Sequence, residues 1–194
     1  SDALIELHSG GVRYLHLPLA GFYDLPNEVG ARSFALARAT GWKYLWAAPL
    51  RAGVLSYEAA RHGIASLGTE VGGAGRCLPE DVALYRPTLH RVLHHLGMVC
   101  ATPSSPDLSE QVVIDGDWLL CPESGFLETG ARLDQPVTAG MLLARILDQF
   151  GNGRGEIHAK QDGVIVGIRS FPPILAGEWG IFVAGLRDAN HGGC

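Results

Sequence analysis

The first hundred residues alternate short apolar runs with helix-forming segments, and this alternation constrains the fold more than any other feature. Buried strands of parallel sheets read as short apolar runs, whereas helices need longer segments that end at glycine or proline. A strand–helix alternation favours an α/β fold with a mostly parallel sheet covered by helices. The predicted strands are 3–7, 42–47 and 64–70, the predicted helices are 31–39, 54–62 and 78–96, and residues 14–30 are predicted to form a loop.

The pattern changes after residue 100. The polar, proline-bearing segment 102–106 is typical of a linker, so we predict an α/β domain over 1–104 and a second domain over 105–194. Short strand patterns dominate the second half and predict a compact β barrel or sandwich. Its predicted strands are 111–114, 118–121, 125–127, 157–159 and 164–169, with turns at Asp115-Gly116 and Asp162-Gly163 and with 141–147 as either a strand or a short helix.

Composition narrows the class of protein. With 194 residues and 47% hydrophobic content, the chain can bury a sizeable core. The net charge of -5 provides no basic surface for nucleic acid, and no apolar run is long enough to cross a membrane. The four cysteines are far apart in sequence, which favours free thiols in a reducing compartment. We therefore expect a cytoplasmic protein whose partner is a small molecule or another protein, including a second copy of itself.

Two functional side chains follow predicted strands. His8 ends the run 3–7 and precedes Gly10-Gly11, and Glu70 ends the run 64–70 before another glycine-rich segment. Ligands of open α/β sheets bind at the carboxyl ends of the strands, where an imidazole can bind a metal and a carboxylate can move a proton. The simpler alternatives are a histidine that caps a strand and an acid that accepts hydrogen bonds from loop amides.

Four segments resemble the succinylglutamate desuccinylase/aspartoacylase family, in the family's order and over nearly the whole chain. The first two segments, 2–11 and 63–73, contain His8 and Glu70. The other two, 122–140 and 159–165, are similar to the family's C-terminal β domain, which is like a lipoyl-type barrel-sandwich. The resemblance implies part of a carboxypeptidase-like zinc-hydrolase domain followed by a small all-β domain.

The resemblance also implies a function. The family's enzymes are zinc-dependent deacylases that hydrolyse the amide bond of an N-acyl amino acid or a similar small molecule. By resemblance, His8 is a ligand of one Zn²⁺ per site, and Glu70 is the catalytic acid that activates water and then protonates the leaving nitrogen. Arg61 lies near the family's substrate-binding arginine, with an offset of one residue. Arg76 is a second substrate-binding candidate, because a guanidinium in the loop after Glu70 can bind a carboxylate through two hydrogen bonds. A solvated surface position is the alternative for both arginines.

The resemblance is incomplete on one point. In the family, a His and a Glu of an early H-x-x-E motif complete the zinc site, and no such motif precedes His8. One imidazole does not hold a catalytic zinc, which normally has three protein ligands. We therefore expect the C-terminal part of a longer hydrolase, inactive alone. The alternatives are a zinc carboxypeptidase and a non-enzymatic binding or carrier module built on the β domain, for which Lys160 is the candidate modified residue.

Overall fold

The computed structural model describes residues 1–100 and 107–187. Three helices and twelve strands occur within these ranges. In the first half they are β1 (Ala3–His8), β2 (Tyr14–Phe22), α1 (Glu28–Ala39), β3 (Tyr44–Ala47), α2 (Leu55–Arg61), β4 (Ala65–Gly73) and α3 (Pro79–His95). In the second half they are β5 (Val112–Leu120), β6 (Gly125–Thr129), β7 (Pro136–Val137), β8 (Leu142–Leu147), β9 (Gly153–His158), β10 (Gly163–Arg169), β11 (Pro173–Ile174) and β12 (Trp179–Leu186).

The strands form two sheets. The larger one has eight strands in the order β1-β4-β2-β3-β5-β12-β10-β7, and an additional β2–β10 pairing closes strands β2, β3, β5, β12 and β10 into a ring. The smaller sheet has four strands in the order β11-β6-β8-β9. The predicted boundary between residues 104 and 105 falls outside the described residues, and the larger sheet contains strands from both sides of it.

The sheet is mixed, so the prediction of a mostly parallel sheet is wrong. The β1–β4, β2–β3 and β3–β5 pairs are parallel, whereas β2–β4 and the pairs made by β10 and β12 are antiparallel. The reason is β2, which was predicted to be a loop. Its Pro18 lies where the register with β4 shifts, between His16 and Leu19, and proline is tolerated at such an irregularity because no ladder hydrogen bond is needed from its nitrogen.

Most other predicted elements have bounds close to the observed ones. The first strand, predicted over 3–7, extends one residue further to His8, and the three helices differ from their predicted bounds by a few residues. Helix α1 begins earlier, because the side chain of Asn27 caps it by accepting a hydrogen bond from Gly30 N at 3.1 Å. The predicted turn at Asp115-Gly116 is wrong, since β5 continues through it, and 141–147 is strand β8.

Three clusters of buried side chains form the core. One lies between helices α1 and α3 and the sheet, and includes Leu36, Leu67 and Val92. The second cluster lies inside the ring of strands, and the third cluster lies between the ring and the smaller sheet. Strand β12 shows the division, because Phe182 and Ala184 belong to the cluster inside the ring, whereas Ile181 and Val183 belong to the cluster outside it.

Helix α3 is only partly buried. Its residue Val92 is buried, whereas Val82 is 55% exposed. Trp42 Nε1 donates to Thr88 Oγ1 at 2.8 Å and attaches the helix to the segment before β3. No helix within residues 1–100 and 107–187 is both long and apolar enough to span a membrane.

Candidate active site

A cavity of about 290 Å³ opens on the face of the sheet opposite helices α1 and α3. Its walls come from both halves of the chain, because Trp179 of β12 lies beside residues of the first half. The lining surface is mostly apolar, although seven of the sixteen lining residues have polar or charged side chains. The lining residues are His8, Leu19, Gly21, Phe22, Tyr23, Trp46, Ala48, Pro49, Arg51, Val54, Ser56, Ser66, Gly68, Thr69, Glu70 and Trp179.

His8 and Glu70 both line this cavity. They are register partners on the parallel strands β1 and β4, so their side chains project from the same face of the sheet. The structure therefore brings the two predicted residues together. Strand β4 continues to Gly73, however, so Glu70 lies within the strand rather than at its end.

The carboxyl group of Glu70 is buried. Its Oε2 atom accepts no hydrogen bond from any residue that the structure describes, and burial raises the pKa of Glu70 to about 7. The alternative that loop amides satisfy this acid does not hold for Oε2. A buried carboxyl group with a raised pKa, facing a cavity, is typical of a group that takes up and releases a proton near neutral pH.

The imidazole of His8 is more open, with 52% of its side chain exposed. Its Nε2 lies 3.8 Å from Oε1 of Glu6, which is two residues earlier on the same face of β1. Sequence reasoning did not single out Glu6, although the two-residue spacing on a strand is a signal that could have found it. An imidazole next to a carboxylate on a cavity wall is chemically suited to bind a cation.

Hydrogen bonds from the opposite side of the sheet fix the two strands that carry these residues. The Tyr85 hydroxyl of α3 donates to the backbone carbonyl of His8, and the Thr69 hydroxyl of β4 donates to the Glu6 carbonyl at 2.9 Å. Helix α3 thus holds β1 against β4, where His8 and Glu70 meet.

The structure does not bring the two predicted arginines to the cavity. Arg61 is exposed at the end of α2, where its Nη1 lies 3.3 Å from Glu58 Oε2, and Arg76 is exposed in the loop after β4. Neither residue is among those that line the cavity. The one arginine in the lining is Arg51, in the connection between β3 and α2.

The remaining polar lining comes from residues that sequence reasoning missed. Tyr23 and Ser56 are both buried, and their hydroxyl groups are 3.1 Å apart. They follow β2 and begin α2, respectively, so only the folded chain brings them together with Trp179. No local sequence pattern marks these positions, since each has an ordinary place in its own element.

A zinc site is only partly present. Within residues 1–100 and 107–187, no group of three or more His, Cys, Asp or Glu side chains is arranged to hold a metal ion. His8 fits the chemistry of one zinc ligand, and the described residues do not supply the other two. The His90 and His94 pair on α3 lies on the other side of the sheet from the cavity.

The carrier alternative finds no support in the fold around Lys160. This exposed lysine lies between β9 and β10, which belong to different sheets and do not pair with each other. The segment is therefore a crossover between sheets, not a hairpin that presents a lysine at its tip.

Comparison with known proteins identifies the fold. No protein-family model matches the chain. It is 33% identical over 181 residues to the N-alpha-acetyl-L-2,4-diaminobutyric acid deacetylase of Halomonas elongata, and this match covers 89% of the chain and 52% of the relative. The apo structure of the ectoine utilization protein EutE (DoeB) from Ruegeria pomeroyi matches with a TM-score of 0.83 and 24% identity, over 95% of this chain and 60% of that one.

A succinylglutamate desuccinylase/aspartoacylase from Rhodobacter sphaeroides matches with a TM-score of 0.83 and 22% identity, over 98% of this chain and 59% of that one. The chain has the fold of the succinylglutamate desuccinylase/aspartoacylase family. This confirms the resemblance that the sequence motifs carry. The chain spans about half the length of the curated relative that it matches.

Proposed function

We propose that this chain carries the catalytic acid and one metal ligand of a zinc-dependent deacylase, which hydrolyses the amide bond of an N-acyl amino acid or a similar small molecule in the cytoplasm. One observation carries the proposal. His8 and Glu70 are register partners that face the same cavity, and the Glu70 carboxyl group is buried there without a partner for Oε2 among the described residues. The deacetylase from Halomonas elongata supports the reaction class.

The role of Glu70 follows from its position. As a carboxylate it accepts a proton from the attacking water, and as a carboxylic acid it returns that proton to the leaving nitrogen. A pKa near 7 allows both forms at neutral pH. When bound, a zinc ion would polarise the scissile carbonyl and lower the pKa of the attacking water. His8 would supply one ligand, and the others would come from outside the described residues.

The part of the cavity formed by the described residues is small. Its volume of about 290 Å³ is at the lower end of the range for small-molecule sites, which is roughly 300–1,000 Å³. Trp179 and Pro49 narrow it from two different parts of the chain. This favours a small acyl amino acid over the peptide substrate of a carboxypeptidase. N-alpha-acetyl-L-2,4-diaminobutyrate is the first substrate to test, because it is the one named for the relative.

The decisive test is Glu70→Gln in an active form of the protein. The amide keeps the shape of the side chain but cannot accept the proton of water, so we expect kcat to fall on the order of 10²- to 10⁴-fold. The measurement is the rate at which N-alpha-acetyl-L-2,4-diaminobutyrate is converted to 2,4-diaminobutyrate with its free α-amino group. Bound zinc is measured on the same samples. Unchanged turnover in Glu70→Gln would exclude the proposed role.

Matched variants separate catalysis from metal binding. We expect His8→Ala to lower the zinc content, whereas Glu70→Gln keeps it. Glu80→Gln, which changes an exposed acid on α3, is the control for loss of a surface charge. The isolated chain should bind zinc weakly and hydrolyse little, because one imidazole is fewer than the three ligands that a catalytic zinc needs. Tight stoichiometric binding of zinc by the isolated chain would contradict that expectation.

A further inference from the structure

Arg51 has a special position in the cavity. It is the one Lys or Arg side chain among the lining residues, and Glu70 is the one Asp or Glu. The lining near these two charges is largely apolar, with Trp46, Pro49 and Val54 among its members. A negatively charged ligand group that enters such a cavity loses its hydration, so it needs a fixed positive partner. Of the lining residues, Arg51 is the one with a permanent positive charge.

Two residues of the second half of the chain hold the Arg51 guanidinium. Its Nη2 donates a hydrogen bond to Oδ2 of Asp117 on β5, and its central carbon lies 5.7 Å from the centre of the Trp179 ring on β12. Trp179 in turn stacks on Trp118, with the rings 5.4 Å apart and nearly parallel. These contacts restrict the rotation of a long, flexible side chain.

The ion pair with Asp117 does not use up the guanidinium. The Arg51 and Asp117 side chains are 38% and 45% exposed, and an ion pair at such an exposed site is weak. A guanidinium has five N–H donors, and the hydrogen bond to Asp117 is made by Nη2. Donors therefore remain for a second carboxylate, which arginine binds best through two parallel hydrogen bonds.

We propose that Arg51 binds the carboxylate of the substrate, with Asp117 and Trp179 as the residues that position its guanidinium. The inference rests on the proposed function and assigns the substrate class more narrowly, to acyl amino acids with a free carboxylate. It replaces Arg61 and Arg76 in this role, since both lie outside the cavity. The second half of the chain thus contributes to substrate selection through β5 and β12.

The test compares two ligands that differ at the α-carboxyl group: N-alpha-acetyl-L-2,4-diaminobutyrate and its α-carboxamide, which carries no negative charge there. We expect Arg51→Met to raise KM for the acid on the order of 10- to 100-fold, because a charge-assisted hydrogen bond to the substrate carboxylate is lost. The KM for the carboxamide should change less than about threefold, and kcat for the acid should change little. Equal losses with both ligands, or no loss with the acid, would overturn the proposal.

Further variants test the positioning roles. Asp117→Asn should raise KM for the acid by less than Arg51→Met does, with kcat unchanged, and Arg51→Lys should recover part of the lost affinity. Trp179→Phe should have a smaller effect than Trp179→Ala, because the smaller ring still packs on the guanidinium. An Asp117→Asn variant that lowers kcat for both ligands to the same degree would contradict the positioning role. Arg86→Met, at an exposed site on α3, is the matched control for loss of an arginine.

Equilibrium binding separates this inference from the proposed function. Calorimetric titration of the acid and of the carboxamide into Glu70→Gln protein measures carboxylate selectivity without turnover. If hydrolysis survives Glu70→Gln but Arg51→Met abolishes the preference for the acid, the catalytic proposal fails and the carboxylate site stands. If Glu70→Gln abolishes hydrolysis and the protein binds acid and carboxamide equally, the carboxylate site fails and the catalytic proposal stands.

Discussion

At the scale of single residues, the structure contains two buried titratable groups with opposite shifts in pKa. Burial raises the pKa of Glu70 to about 7 and lowers the pKa of His16 to about 4. Glu70 faces the cavity, where its protonated form can donate a proton to a leaving group. His16 lies on β2 next to Trp118, with the two rings 5.3 Å apart and perpendicular, and its Nδ1 has no hydrogen-bond partner within the described residues. No function of the cavity explains His16, so its effect is on stability.

The shift at His16 gives the fold one acid-sensitive contribution. Between pH 6.5 and about pH 4, the unfolded chain binds a proton at His16 and the native chain does not, so the contribution of His16 to stability falls as the pH falls through this window. The lowering of the His16 pKa from 6.5 to about 4 corresponds to a loss of stability on the order of 3 kcal/mol across this window. Glu70 contributes a change of opposite sign between about pH 7 and pH 4.5, because its pKa is raised in the native state. We expect His16→Gln to remove the His16 part of the pH dependence in urea unfolding at pH 7, 5.5 and 4. The same slope in His16→Gln and the wild type would show that His16 is not the cause.

At the scale of elements, the sequence predicted the helices and strands whose conformation depends on residues nearby in the chain. Strand β1, the three helices and the pairing of His8 with Glu70 follow from apolar runs, caps and glycine stops. Strand β2 was missed because Pro18 and several glycines resemble a loop, and its strand conformation depends on pairing with β4, β3 and β10. Arg51 and Trp179 were missed for the same reason, since β12 reaches the cavity only through the closed ring of strands.

The glycines beside His8 and Glu70 allow backbone segments to pack closely. A Cβ atom at Gly10 or Gly73 would lie within 2.2 Å of the Tyr14 carbonyl oxygen, and neither glycine lines the cavity. Gly10 N donates to Gly72 O at 3.2 Å, and this contact joins the two segments that follow the candidate residues. The glycine segments that follow His8 and Glu70 therefore hold these two residues in position without lining the cavity.

Gly73 gives this interpretation a test. Its φ is +127°, and a Cβ atom there would lie 2.2 Å from the Tyr14 carbonyl oxygen. We expect Gly73→Ala to lower the free energy of unfolding by at least about 2 kcal/mol, because both the backbone conformation and the contact become strained. Gly130→Ala is the control, since a Cβ there meets no atom within 4 Å. Urea midpoints at unchanged m-value measure the difference, and equal midpoints would refute the packing role.

At the scale of the whole molecule, the ring of strands connects the two predicted domains. Strands β2 and β3 come from the first half and β5, β10 and β12 from the second, so neither half contains a complete ring. The cavity depends on the same connection, because Trp179 and the partner of Arg51, Asp117, both come from the second half. A chain built in this way should unfold as one cooperative unit, since opening the ring exposes the core inside it.

Cavity-forming substitutions in the two clusters outside the ring test this cooperativity. Leu36 is buried between α1 and the sheet in the first half, and Ile146 is buried under the smaller sheet in the second. We expect Leu36→Ala and Ile146→Ala each to destabilise the protein by about 2–5 kcal/mol and to shift a single transition seen by calorimetry. The two losses should add in the double variant, because the sites lie in separate clusters. Two transitions, each shifted by one substitution alone, would instead mean that residues 1–104 and 105–194 unfold independently, as a domain boundary at that point predicts.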